Sequence, residues 1–76
     1  MDICQEIENR IAAAIPGAEI QVSGASGHFE IWVSSHEFEG KRIIAKHRMV
    51  LGAIKDLMAG NDAPLHAVDK LTCVVP

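Results

Sequence analysis

Four histidines are the side chains of this 76-residue sequence best suited to chemistry at neutral pH. Imidazole titrates near neutrality and ligates transition metals through either ring nitrogen. His28 and His66 each stand at the edge of a predicted strand, beside a loop that contains glycine or proline. An imidazole at such an edge can turn outward to iron or zinc. Two imidazoles cannot complete a four-ligand site, so a metal held here would need ligands from a second protein.

The other two histidines favour structural interpretations. His36 lies in a polar segment before Phe38 and is interpreted as a solvated turn residue. His47 begins an apolar helical stripe that continues at Val50, so we expect a half-buried ring hydrogen-bonded to a carbonyl or carboxylate. The sequence contains no nucleophile elbow, glycine-rich phosphate loop or helix-spaced carboxylate pair. We therefore predict that the protein is not an enzyme.

An amphipathic helix and a hairpin come first among the elements that must position these side chains. Asp2 is the candidate N-cap, Gln5 its capping-box partner, and Pro16-Gly17 the stop. Strands are predicted over Glu19–Ser23 and His28–Ser34, joined by a flexible turn, and they form an antiparallel hairpin. The apolar stripe of the helix comprises Ile3, Ile7, Ile11, Ala14 and Ile15, and the core face of the second strand comprises Phe29, Ile31 and Val33.

Trp32 falls on the polar face of the second strand, between the core-facing positions. It either covers the outer face of the sheet or belongs to a partner surface, where tryptophan is enriched.

The stretch 36–58 carries the clearest helix and most of the positive charge. Phe38 can anchor a turn in the core, and Gly40 supplies the backbone freedom that a tight turn needs. The apolar stripe of this helix comprises Val50, Ile54 and Leu57, and the bases of the basic helix 41–55 are Lys41, Arg42, Lys46, Arg48 and Lys55.

A loop over Ala59–Pro64 leads to the last predicted strand, Leu65–Val75, with His66 at its start. Because a helix intervenes, this strand cannot form a hairpin with its predecessor and is expected beside a hairpin strand. The prediction is an α+β fold in a single domain over residues 1–76. Its order is helix–strand–strand–helix–strand, with a three-stranded mixed sheet and helices on one face.

The formal net charge is −3, but its sign is unevenly distributed. The sequence before Lys41 contains seven acidic residues and one basic residue, Arg10. From Lys41 onward it contains six basic and three acidic residues. The two halves are either solvated faces of opposite sign or include a basic patch for an anionic partner.

Cys4 and Cys73 form neither a CxxC motif nor a zinc spacing, and two cysteines do not make a disulfide framework. The acidic first residues are unlike a signal peptide, and no apolar run approaches the roughly 20 residues of a membrane span. A cytoplasmic protein without membrane association is predicted.

Several motifs, taken in order, resemble the BolA family: Phe29 in its alternating strand, Phe38-x-Gly40, Lys46-His47-Arg48-Met49-Val50 and Leu65-His66-Ala67. Each piece is weak alone, but the combination is specific in so short a chain, and the resemblance covers nearly the whole of it. It implies a fold similar to a class II KH domain.

The resemblance also implies iron–sulfur chemistry. BolA proteins pair with monothiol glutaredoxins, and the two hold a [2Fe-2S] cluster between them. The glutaredoxin brings its cysteine and a glutathione thiolate, and the BolA side brings the histidine of the H-A motif, here His66. A monomer that forms a heterodimer with its partner is expected, with a role in cluster assembly, transfer or iron sensing.

A second BolA ligand is expected from the loop between the first two strands. Many relatives carry cysteine, or histidine in a longer loop, where this chain has Gly24, Ala25 and Ser26. The nearest candidate is His28, and the alternative is that this chain supplies no second ligand. Neither cysteine matches a ligand position, and the helix that some relatives carry after the last strand is absent.

Two other functions remain open. The first is a DNA-binding transcriptional regulator. It is favoured because some BolA relatives are described as DNA-binding regulators and because the helix is basic. The negative net charge and the missing GxxG clamp count against it. The second is a metal-free adaptor that uses Trp32 and the basic helix and would tolerate the loss of His66. The candidate residues for a protein or nucleic-acid partner are Lys41, Arg42, Lys46, His47, Arg48 and Trp32.

Overall fold

The computed structural model describes residues 2–60 and 63–76. It confirms the predicted element order and adds two short 3-10 helices, one on each side of the second α-helix. Asn61 and Asp62 of the predicted loop lie outside the described residues. The elements are α1 (Ile3–Ala14), β1 (Glu19–Ala25), β2 (His28–Ser34), a 3-10 helix (His36–Phe38), α2 (Ile43–Ala53), a second 3-10 helix (Lys55–Met58) and β3 (Ala67–Val74).

Helix α1 starts at the predicted cap. The Asp2 carboxylate accepts a hydrogen bond from the Gln5 backbone N–H at 3.2 Å, which satisfies one free donor of the first turn. The Gln5 side chain donates to Asn9 at 2.8 Å and does not close a capping box. Ile7, Ile11 and Ile15 are buried as predicted. Ala14 is exposed, so its assignment to the stripe was wrong; it lies at the edge of the stripe in the last helical turn.

Strands β1 and β2 pair antiparallel, and Ala25 lies opposite His28. The prediction ended β1 too early, at Ser23, because the connection needs only two residues. Ser26 and Gly27 both have positive φ, at 56° and 81°. Positive φ at both central residues is the geometry of a type I′ turn, whose twist matches that of the flanking strands.

Strand β3 pairs with β2 in parallel, which completes the predicted mixed sheet in the order β1-β2-β3. It begins at Ala67 opposite His28 and ends at Val74 opposite Ser34. The predicted strand Leu65–Val75 was therefore too long, and His66 lies immediately before β3 and not within it. The register shifts once, because Phe29 pairs with Val68 but Glu30 pairs with Lys70.

Both helices pack on one face of the sheet, as predicted, and the core lies between them and β2. Phe38 is fully buried, so the turn before α2 is anchored as expected. Gly40 has φ +76°, which confirms the predicted need for glycine in that turn. The buried core comprises Ile7, Ile11, Ile15, Phe29, Ile31, Val33, Phe38, Val50, Ile54, Leu57 and Leu65.

The basic helix is shorter than the predicted range 41–55. Arg42 is the N-cap in an extended conformation, so Lys41 and Arg42 precede the helix. Lys55 lies in the 3-10 helix that follows. Over the two described ranges, no helix has the length and hydropathy needed to cross a membrane.

Candidate functional site

The hairpin turn and the start of β3 are joined through one carbonyl group. The Gly27 oxygen accepts hydrogen bonds from the backbone N–H groups of His66 at 2.8 Å and Ala67 at 2.9 Å. A shared acceptor holds two consecutive residues in place, so the backbone of His66 is fixed beside the β1–β2 turn although His66 lies outside the strand.

The His66 ring lies directly against the backbone of Gly27. An added Cβ at Gly27 would stand 2.0 Å from His66 Cδ2 and 2.8 Å from Cγ, distances that no side chain tolerates. Gly27 is buried, whereas His66 is exposed. The ring therefore packs with one edge on the glycine and remains accessible from solvent.

His28 is oriented by a different contact. Its Nδ1 lies 3.2 Å from Asp69 Oδ1, and the two side chains are 59% and 55% exposed. An ionised carboxylate can only accept a hydrogen bond, so a hydrogen bond at this contact requires a proton on His28 Nδ1.

The fold brings the two predicted metal ligands, His28 and His66, to the same end of the sheet. We call them the imidazole pair. His28 lies opposite Ala67, the residue after His66, on neighbouring parallel strands that are about 4.8 Å apart. Strand alternation within one segment could not establish this proximity, because it depends on how β3 is aligned with β2.

The donor set suits a metal group that is shared between two proteins. Outside residues 1, 61 and 62, no group of three or more histidine, cysteine or acidic side chains could hold a metal ion. A [2Fe-2S] cluster takes four protein or thiolate ligands, and histidine can replace cysteine at one of its irons. The imidazole pair can supply at most two of the four, so it fits half of a shared cluster site.

The thiol of β3 is not part of this site. Cys73 lies opposite Val33, towards the far end of β3 from His66. Its partial burial raises the pKa of the thiol, and the nearby charge of Lys46 opposes that shift. This thiol is separated from the imidazole pair by most of the length of β3.

The predicted basic surface is divided between two environments. Lys41, Arg42 and Arg48 are exposed. Lys46 and His47 are half-buried on either side of the buried Val50. The bases therefore do not share one face.

The position of His47 is as predicted, but its ring has no hydrogen-bond partner within residues 2–60 and 63–76. His36 is exposed at the first position of its 3-10 helix, as predicted.

Trp32 lies on the outer face of the sheet, opposite the helices. It is half-buried and lines a shallow depression of about 310 Å³ together with Glu30, Lys70 and Thr72. The sheet lies between Trp32 and helix α2, so the two predicted parts of an adaptor surface face different sides of the molecule.

A sequence model of the BolA-like protein family matches residues 5–74. The chain belongs to the BolA family. It is 31% identical over 64 residues to an uncharacterized protein of the rpoN-murA intergenic region of Acinetobacter guillouiae, a match that spans 84% of this chain and 75% of that protein.

Solved BolA structures have the same fold. BolA1 from Arabidopsis thaliana superposes with a TM-score of 0.83 at 19% identity, over 100% of this chain and 94% of that one. A bolA homologue from Coxiella burnetii gives a TM-score of 0.80 at 26% identity, with the same two coverages. These likenesses confirm the predicted family and the α+β fold of this BolA protein.

In this BolA protein the β1–β2 connection offers no ligand of its own. Its two turn residues are Ser26 and Gly27, and the imidazole nearest to the turn is that of His28. Sequence analysis named both histidines, but it missed Asp69 and treated Gly27 only as a flexible turn residue. The β2–β3 register determines which residues contact the two candidate ligands, and the sequence carries no local signal for that register.

Proposed function

We propose that this BolA protein partners a monothiol glutaredoxin and shares a [2Fe-2S] cluster with it, in cluster assembly, transfer or iron sensing, and that it acts without being an enzyme. The observation that carries the proposal is the placement of two exposed imidazoles, His28 and His66, at one end of the sheet, while the described residues contain no group of three or more side chains that could hold a metal ion by themselves. Such an incomplete donor set needs a partner, and the cysteine of glutaredoxin with the thiolate of glutathione would complete four ligands.

His66 is the primary ligand in this proposal because its position is the better defined of the two. Its backbone N–H donates to the Gly27 carbonyl, and its ring rests on the α-carbon of the same glycine. A ligand whose rotamer is held by packing loses little conformational freedom when it binds.

The imidazole ligands determine two properties of the shared site. Histidine in place of cysteine raises the reduction potential of a cluster above that of an all-thiolate one. Imidazole ligates only when it is deprotonated at the coordinating nitrogen, so acid weakens the BolA half of the site. The residues of this chain therefore hold and release one side of the cluster without forming or breaking any bond in a substrate.

The substitution His66→Ala tests the proposal. The ring is exposed, so the fold is expected to persist, while the visible absorption and circular dichroism of the cluster-loaded complex with glutaredoxin should change. His36→Ala is the matched control, because that imidazole is also exposed but lies after β2 and away from the pair. A His66→Ala complex with the spectrum of the unsubstituted complex would remove the ligand assignment.

A second candidate function, binding to DNA, is favoured by the exposed bases before and within α2. No carboxylate of residues 2–60 or 63–76 lies within ion-pair distance of Lys41, Arg42 or Arg48. The net charge of −3 opposes binding to a polyanion, so we rank it second. Absence of binding to duplex DNA at low salt would eliminate it.

A further inference from the structure

A bulge in the β2–β3 pairing brings the carboxylate of Asp69 to His28. Because Val68 pairs with Phe29 and Lys70 pairs with Glu30, Asp69 is an extra residue in β3 with no partner on β2. Bulges redirect side chains, and here the extra residue lies with Oδ1 3.2 Å from His28 Nδ1.

The contact is too exposed to be explained by stability. Both side chains are more than half accessible, at 59% and 55%, and exposed ion pairs contribute little to folding. The bulge interrupts a regular strand pairing, and the contact that it creates adds little to stability. We therefore look for its role in the orientation of the His28 ring.

The chemical consequence lies at the other ring nitrogen. With Nδ1–H donated to the carboxylate, the neutral His28 ring has its lone pair on Nε2. A histidine that ligates a metal through one nitrogen commonly donates its other N–H to a carboxylate, which fixes the tautomer and makes the ligand more basic.

We propose that Asp69 is a positioning residue that holds His28 as the Nδ1–H tautomer and so presents His28 Nε2 as the second BolA ligand of the shared cluster. This inference rests on the proposed function. It also chooses between the two alternatives that the sequence left open, because neither residue of the Ser26-Gly27 turn offers an imidazole or a thiolate, whereas His28 lies opposite Ala67, the residue after His66, and its Nδ1 contacts Asp69.

The first test uses the protein without a cluster. Two-bond ¹H–¹⁵N correlations of the histidine rings, recorded at a pH where imidazole is neutral, report the tautomer directly. His28 should be mainly the Nδ1–H form, and Asp69→Ala should shift it towards the Nε2–H form. Asp69→Asn should retain the Nδ1–H form, because the amide oxygen also accepts. Glu30→Ala, which removes an exposed carboxylate two residues along the same strand as His28, is the control and should leave the tautomer unchanged. Equal tautomer populations in the unsubstituted protein and Asp69→Ala would overturn the proposal.

The second test uses the cluster-loaded complex with glutaredoxin. Asp69→Ala should alter the visible circular dichroism in the same direction as His28→Ala, and the double variant should equal His28→Ala alone. Asp69→Asn should restore the spectrum but raise the reduction potential, because a neutral acceptor makes the imidazole less electron-donating.

The outcomes separate this inference from the proposed function. A spectrum that changes with His66→Ala but not with His28→Ala would sustain the shared cluster and overturn the role of Asp69. A spectrum that changes with neither, or a complex that forms no cluster, would overturn both. An effect of Asp69→Ala that persists undiminished in the His28→Ala background would show that Asp69 does not act through His28.

Discussion

At the scale of single residues, the position of His66 depends on Gly27. This glycine contributes a positive φ, a carbonyl that accepts two hydrogen bonds and an α-carbon on which the ring packs. Of these three features, only the positive φ is common to every glycine in a left-handed turn. The close approach of the ring is specific to this position and links the hairpin turn to the candidate ligand.

The substitution Gly27→Ala should destabilise the protein and displace His66. A non-glycine residue in the left-handed region costs about 1–2 kcal/mol, and the new methyl group would also overlap the imidazole. Urea unfolding and the ring resonances of His66 are the measurements. We expect a loss of free energy of unfolding greater than the backbone cost alone, together with a shift of the His66 signals.

Gly17→Ala is the matched control for this prediction. Gly17 has φ +82°, almost the same as Gly27 at +81°, but an added Cβ there would meet nothing within 4 Å. It should show the backbone cost without any effect on His66. Equal destabilisation by both substitutions, with His66 unmoved, would show that the ring does not depend on Gly27.

The sequence predicts the two candidate ligands but not the contacts that hold them. His28 and His66 were identified from their residue type and their place at the strand edges. The contacts of His66 with Gly27 and of His28 with Asp69 were not, because both depend on the alignment of two strands separated by a helix. A one-residue bulge in that alignment decides where the Asp69 carboxylate lies, and no local pattern encodes it.

At the scale of elements, helix α2 begins in an electrostatically unfavourable way. Arg42 is its N-cap with no side-chain hydrogen bond, and the first turn contains no acid. Free N–H groups and the positive end of the helix dipole favour acceptors and negative charge at this position. Two exposed bases stand there instead, Lys41 and Arg42, next to the exposed Ile43 and Ile44.

The substitution Arg42→Asp should therefore stabilise the fold. A carboxylate at the N-cap can accept a backbone hydrogen bond, a gain of about 1 kcal/mol that urea unfolding would measure. The same charge reversal should weaken any binding to duplex DNA and reduce its salt dependence, by about 0.9 log units for each phosphate that is no longer neutralised. A lower stability of Arg42→Asp would contradict this account of the helix start, and unchanged DNA affinity would place any nucleic-acid interface elsewhere.

The elements themselves were predictable where one face of a segment is buried. Alternation identified β2 with its bounds and core face, and four-residue spacing identified the buried isoleucines of α1. The errors fall at the ends of elements. Strand β1 was predicted to end too early because its type I′ turn uses a serine with positive φ, and β3 was predicted too long because Leu65 is buried outside the strand.

At the scale of the whole molecule, the protein is a helix-covered sheet with an open outer face and the candidate site at one end. The core occupies the helical side, and Trp32 lies on the other side. The imidazole pair lies at the end of the sheet where β2 and β3 begin and the β1–β2 turn closes the hairpin. Since the imidazole pair could supply only part of a metal site, the proposed function needs a second protein to complete it.

The measurement that tests this most directly is an amide NMR titration of the ¹⁵N-labelled protein with a monothiol glutaredoxin, first without a cluster and then cluster-loaded. The account predicts that the loaded partner broadens signals by paramagnetic relaxation around residues 24–29 and 65–67, with the strongest losses near His28 and His66. Shifts confined to residues 41–55, or no shifts at all, would contradict the shared cluster.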